Sequence, residues 1–381
     1  MNNYDVLIVG AGPAGVAAAK SSAIAGASVM LLEKQPTIMA LKPCGEATSQ
    51  NTLETAGVDP TSSIVMHKAD AMVFSPNMKS VVINQIGFSI NKTLLLQYMA
   101  AQAAEAGAHI RVREEVQSIK RNVDSSMLVK TSRDEYKANI VIGADGYDST
   151  VARNMDIKEK SEAIPTVQYT MVNCKLEHKN SVRFFLGNEI APKGYAWIFP
   201  KGEKLVEVGL GVRGVPAKKY LDSFVRRFDK ELGSGQVIDF RGAPVPIGGM
   251  IKRNIIDNTI LVGDAAGTVI PLTGAGIHSS IVAGLIAGEV AAAASSEGNY
   301  SKDRLEEFNN RYNEDWGSRI RKSFKVMQAI ENLSDDELNM LQELLNENDI
   351  LDLANGVDIK KVGTKLLKHP ILALKLARYL L

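Results

Sequence analysis

Residues 4–9 (YDVLIV) form an almost unbroken apolar run, which predicts a strand buried on both faces. A glycine-rich turn follows, then small apolar residues over 16–25 that predict a helix. A second apolar strand over 28–32 ends at Glu33. The pattern turns strand-like over 63–90 and helical over 92–106, where Leu95, Met99 and Ala103 share one face and Gly107 closes the end. One strand is predicted over 109–121 and a hairpin over 126–131 and 135–141. From about 166 to 241 apolar and polar residues alternate, the pattern of an antiparallel sheet, with a helix inserted at 218–232. A buried strand at 259–262 leads into an alanine-rich helix, and residues 300–381 read as mostly helical.

The first βαβ unit carries Gly10, Gly12 and Gly15 in its turn and Glu33 at the end of its second strand. A pyrophosphate needs close backbone N–H donors, and a glycine turn opening a helix supplies them together with the favourable end of the helix dipole. A carboxylate about twenty residues further on accepts hydrogen bonds from a ribose 2′-OH. That acid argues against a 2′-phosphate, so the expected ligand is FAD or NAD(H) rather than NADP(H). The fold class expected is α/β, α+β overall. A discontinuous Rossmann-type dinucleotide-binding domain (1–62, 91–165 and 245–299) receives an inserted antiparallel β-rich substrate domain (63–90 and 166–244). A C-terminal helical region spans 300–381.

Composition narrows the classes. The 381 residues carry a formal net charge of +1, so no basic field points to nucleic acid. Cys44 and Cys174 are the two cysteines, which fits a reducing cytoplasm and excludes a disulfide scaffold or a multi-cysteine metal site; no metal is expected. The chain enters a strand within four residues, leaving no room for a signal peptide. The apolar stretch 279–294 is interrupted by Glu289 and is short for a membrane span.

Two further motifs bear on chemistry. In GADG (143–146) Asp145 sits at a strand end beside a glycine turn. It either closes over the nucleotide or simply caps the next turn. In LVGDAAG (261–267) followed by PLTGAGIHSSI (271–281), Asp264 can accept from sugar-alcohol hydroxyls, and Gly274 and Gly276 open a helix whose amides face a second site. Reduced flavin gathers negative charge near N1 and O2, where such amides stabilise it.

These motifs in this order resemble the FAD-dependent glutathione-reductase-like superfamily, in its aromatic-hydroxylase branch. KPCGEATS (42–49), FFLGNEIAPKGYAWIFPKG (184–202) and the GDAAG…PLTGAGI pair make the resemblance closer to the archaeal geranylgeranyl reductase family, the digeranylgeranylglycerophospholipid reductases included. The resemblance implies FAD contacts at Ala14, Gly15, Glu33, Cys44, Gly45, Lys92, Val116, Asp264, Gly276 and Ile277. It implies a reductase that saturates C=C bonds of geranylgeranyl chains in archaeal-type lipid precursors, with hydride from flavin N5 to one alkene carbon and a proton to the other. Lys92 stands where the family has arginine, which keeps the charge but loses the planar fork. Ala47 stands where the family has glycine, which matters if that backbone needs positive φ.

Beside the implied flavin, Cys44 is a candidate proton donor or a small residue packed under the ring system. Tyr195, Trp197 and Phe199 share one strand face by period two. That face is either plain sheet core or, as the resemblance implies, the lining of a dry isoprenoid pocket. His278 is a candidate relay or a structural helix-start residue. The basic amphipathic stretch 358–381 reads as a peripheral membrane contact or as a solvated helix packed on the body. Localisation is expected to be cytoplasmic, with peripheral contact at the membrane face. With no second dinucleotide fold visible, the reductant is an external donor, NAD(P)H or a ferredoxin. The rivals are an aromatic-hydroxylase-type monooxygenase and an electron-transfer flavoprotein to quinone.

Overall fold

The computed structural model describes residues 2–359 together with Lys361, Lys365, Leu372 and Lys375. The first sheet runs, in order, Ile255–Ile256, Thr259–Leu261, Glu135–Gly143, Asn2–Val9, Val29–Leu32 and His109–Arg111. It is parallel from Thr259–Leu261 onward. Val6 and Ile8 face one apolar cluster and Leu7 and Val9 another, so the central strand is buried on both sides and needs no polar alternation. Helices Pro13–Ile24, Lys92–Glu105 and Ile277–Ser296 cover one face. The hairpin of Val116–Arg121 and Met127–Thr131 adds antiparallel strands beside Glu135–Gly143.

The second sheet runs Gln236–Pro246, Ala163–Val172, Leu205–Gly211, Tyr195–Lys201, Ser181–Phe185, Val65–Phe74, Ser80–Ile90 and Ala47–Ser49. It is antiparallel except where Ser181–Phe185 meets Val65–Phe74 in parallel. Ala196 and Ile198 face the cluster under helix Ala217–Arg227, whereas Trp197 and Phe199 face the opposite side.

Three local expectations change. The strand expected over 109–121 is two strands, because Arg113 takes φ +55° between a parallel partner in the first sheet and the hairpin. The helix expected over 218–232 divides at Phe228 into Ala217–Arg227 and Asp229–Leu232. Residues Ala47–Ser49, read as part of the nucleotide-binding start, pair with Ser80–Ile90 in the second sheet.

Among the described residues one helix, Ile277–Ser296, is long and apolar enough to cross a membrane, and it is mostly buried. It lies so close to helix Pro13–Ile24 that a Cβ on Gly284 would sit 2.1 Å from the Ala14 carbonyl oxygen, and one on Gly288 2.1 Å from Ser21 Oγ.

Most of the basic tail lies outside the described residues, Lys360, Lys368 and Arg378 included. The described part packs on the body. Lys365 pairs with Asp349 at 2.5 Å and Lys375 with Glu337 at 2.7 Å, Lys361 lies 3.7 Å from Asp352, and Leu372 is buried among the C-terminal helices.

Candidate functional site

A cleft of about 290 Å³ opens at the C-terminal ends of the parallel strands. Gly10 turns there with φ +97°, where a Cβ would meet the Ala144 carbonyl oxygen at 2.6 Å. Gly12 caps helix Pro13–Ile24 and has open space beside it, so unpaired helix N–H groups face the cleft. Ala14 lines the cleft, while Gly15 packs against Gly10 behind it. The Glu33 carboxylate accepts from Ala11 N and Gln35 N, each at 2.9 Å, and so fixes the turn to the second strand. Lys92, Val116, Asp145 and Asp264 complete the lining named from the sequence.

Of the two readings of Asp145, the capping one is seen directly. Its Oδ2 caps the next turn, accepting from Thr150 N at 2.6 Å and Val151 N at 3.1 Å. Its Oδ1 is buried without a partner, and burial pushes the carboxyl above its ordinary range. Asp264 pairs with Lys42 at 2.8 Å. An open helix N-terminus, a ribose-type carboxylate and an orphaned carboxylate oxygen fit a dinucleotide.

A second cavity of about 380 Å³ lies against the cleft. The two share Pro43, Cys44, Val245, Gly274, Gly276 and Ile277 as a common wall. Gly274 has φ +65°, and Gly276 caps the helix that Ile277 begins. The Lys92 side chain lines the cleft beside Cys44, near enough for the two to interact electrostatically. Burial works to lower the pKa of Lys92, but Cys44, Glu46 and Asp264 outweigh it and raise it. The loop residue with positive φ is Glu46 (+55°) rather than Ala47, which opens a strand, so alanine is no obstacle there. Glu46 accepts from Lys92 N at 3.0 Å and pairs with buried Lys201.

The second cavity is lined by Tyr195, Trp197 and Phe199, joined by Phe184, whose ring packs edge-on to Tyr195 and Phe199. The Tyr195 hydroxyl donates to the Thr273 carbonyl, and burial, with Cys44 nearby, raises its pKa. Trp197 Nε1 is buried with no acceptor. His278 is held by Thr55 Oγ1 at 2.9 Å and packs edge-on to Trp316, which favours its structural role. Among the described residues no cluster could hold a metal ion.

Sequence reasoning missed Lys42, Glu46, Lys201 and Phe184. All four lie inside quoted motifs; Lys42, Glu46 and Lys201 have partners remote in sequence, whereas Phe184 meets Tyr195 and Phe199 across neighbouring strands.

This pair of sheets, with a dinucleotide cleft joined to an apolar cavity, defines a nucleotide-dependent oxidoreductase. The family model described as geranylgeranyl reductase catalytic domain matches residues 162–245, and that of pyridine nucleotide-disulphide oxidoreductase matches 7–182. The chain is 36% identical to the digeranylgeranylglycerophospholipid reductase of Methanocaldococcus jannaschii, covering 97% of this chain and 96% of the relative. It is 35% identical to digeranylgeranylglycerophospholipid reductase 2 of Methanopyrus kandleri, covering 99% of each. The chain belongs to the digeranylgeranylglycerophospholipid reductase family. A geranylgeranyl bacteriochlorophyll reductase-like protein from Thermoplasma acidophilum matches its structure with a TM-score of 0.88 at 26% identity over 100% of both chains. A flavin-dependent brominase shares the fold alone, with a TM-score of 0.74 at 14% identity over 93% of this chain and 94% of that one.

Proposed function

We propose that the chain is an FAD-dependent reductase that saturates the C=C bonds of geranylgeranyl chains in archaeal-type lipid precursors. The wall shared by the cleft and the apolar cavity carries this reading, because it brings a bound dinucleotide and an apolar chain to the same few residues. In this reading residues 1–62, 91–165 and 245–299 hold the nucleotide, residues 63–90 and 166–244 hold the substrate, and strand Ala47–Ser49 reaches across to the substrate sheet.

The Gly10–Gly15 turn holds the pyrophosphate, Glu33 the ribose, and Val116, Asp145 and Asp264 the rest of the nucleotide arm. Lys92, Cys44, Gly45, Ala47, Gly274, Gly276 and Ile277 surround the flavin end. Bound there in its reduced form, FAD supplies hydride. The amides opening helix Ile277–Ser296 stabilise negative charge in the wall. Cys44, beside the Lys92 ammonium, is the residue in that wall placed to pass a proton. Tyr195, Trp197 and Phe199 exclude water and align the chain. The electron donor is external, NAD(P)H or a ferredoxin. The compartment is the reducing cytoplasm, with peripheral contact at the membrane where the lipid resides.

The test is anaerobic. Purified protein is reduced with dithionite and mixed with a digeranylgeranyl glycerophospholipid while flavin absorbance and lipid mass are followed. Reoxidation with a gain of two hydrogens per turnover supports the reading. A flavin that stays reduced until oxygen is admitted overturns it in favour of a monooxygenase.

A further inference from the structure

Lys201 ends the Tyr195–Lys201 strand on the same side as Tyr195, Trp197 and Phe199. Its ammonium is buried, with the side chain 8% exposed, and its counter-charge is Glu46, 11% exposed. That one carboxylate joins three elements. It pairs with Lys201 from the cavity-lining strand, it accepts from Lys92 N at the start of helix Lys92–Glu105, and it belongs to the turn that carries Cys44. The Glu46 carbonyl also accepts from Ile90 N at 2.9 Å. Between Cys44 and Glu46, Gly45 lies so close to the Phe199 ring that a Cβ there would meet Cδ2 at 2.0 Å. The Glu46 backbone sits in the left-handed region, which a residue with a side chain keeps only when its surroundings hold it there.

We propose that Lys201 is a positioning residue: through the Glu46 carboxylate it clamps the Cys44–Gly45–Glu46 turn into the wall between the two cavities. An ion pair so little exposed is costly to break, because either partner alone is a buried, uncompensated charge. A pair whose only task was to steady the sheet could sit anywhere along the strand. This one closes on the turn that carries Cys44, one of the residues that both cavities share. The inference rests on the proposed function only in taking that turn to face the flavin, and its test does not depend on turnover.

The experiment is alkylation of the purified protein with iodoacetamide, resolved by peptide mass spectrometry. Cys174, half-buried in the loop after strand Ala163–Val172, serves as the internal reference. Rates are taken at the high-pH plateau where the thiol is fully ionised, so that access rather than acidity is read. Lys201→Met accelerates Cys44 labelling by roughly tenfold or more as the turn opens locally, while Cys174 is unchanged. Lys201→Arg restores a slow rate, since the guanidinium still meets the carboxylate. If Lys201→Met does not fold, Glu46→Gln takes its place, with the same rise expected at Cys44. An unchanged Cys44 rate, or a rise shared equally by Cys174, overturns the clamp. In the lipid assay Lys201→Met lowers kcat with KM for the lipid nearly unchanged. A wild-type protein that saturates no lipid, with the labelling contrast intact, refutes the proposed function and leaves the clamp standing.

Discussion

A Cβ atom on Gly45 would lie 2.0 Å from Cδ2 of Phe199, so the turn after Cys44 rests directly on a ring that also lines the apolar cavity. The contact joins the cofactor side of the site to the substrate side. Gly45→Ala must push either the ring or the turn, at a cost of about 1–3 kcal/mol. The expected outcome is a lower Tm and a strong loss of lipid saturation. Adding Phe199→Val, which removes Cδ2 and Cε2, costs less Tm in the Gly45→Ala background than in wild type. Calorimetry of the single and double variants checks it: a Gly45→Ala protein as stable as wild type contradicts the packing described.

The approach of helices Pro13–Ile24 and Ile277–Ser296 gives a second expectation. At Gly284 the neighbour is the Ala14 backbone oxygen, which cannot swing aside like a flexible side chain. Gly284→Ala therefore destabilises by about 2–3 kcal/mol, at the upper end of overpacking costs. FAD content of the purified variant falls with it, because Ala14 belongs to the nucleotide turn. Chemical denaturation and flavin absorbance measure the two effects.

Glu33 supports a third. Its carboxylate accepts two backbone N–H groups and faces the cleft. Glu33→Ala leaves both donors without that acceptor and removes a charged partner for the ribose. Hydrogen bonds to charged groups contribute about 1.5–3 kcal/mol, so FAD affinity falls roughly tenfold to a hundredfold. Fluorescence titration of the apoprotein with FAD reads the change, and an affinity matching wild type would sink the assignment.

Glu207 makes stability depend on pH. Burial, partly offset by its hydrogen bond from Thr170 and by Lys201, pushes its carboxyl from 4.5 up to about 7. Between those values the native state holds a proton that the unfolded chain has lost. Stability therefore falls as pH rises through that window and is level above it. Glu207→Gln keeps an acceptor oxygen for Gln168 and Thr170 and cannot ionise. The variant should match wild type near about pH 5 and exceed it above about pH 8 by on the order of 2–3 kcal/mol. Urea denaturation across a pH series decides the matter; a constant difference removes Glu207 as the cause.

Local pattern accounts for what could be read from sequence. The nucleotide turn was legible because Gly10, Gly12 and Glu33 act within one contiguous unit, and Tyr195, Trp197 and Phe199 because strand period alone sorts them onto one face. The break at Arg113 was not, since strand propensity continues through it and only pairing with two different partners forces the bend. Glu46 and Lys201 lie 155 positions apart, and nothing local to either says that they meet. Asp145 was ambiguous because the residue does two things at once, one oxygen capping a turn and the other left free.

The close packing of Gly284 on Ala14 and Gly288 on Ser21 bears on how this chain can drift. The helices it joins begin at Gly12 and Gly276, the two turns proposed to grip the dinucleotide, so contacts without room for a methyl group act as a gauge for the distance between those turns. A chain with every glycine motif intact could still lose its reach for the cofactor through one added methyl at 284 or 288. Motif inspection would pass it as competent, and its defect would be one of span rather than of chemistry.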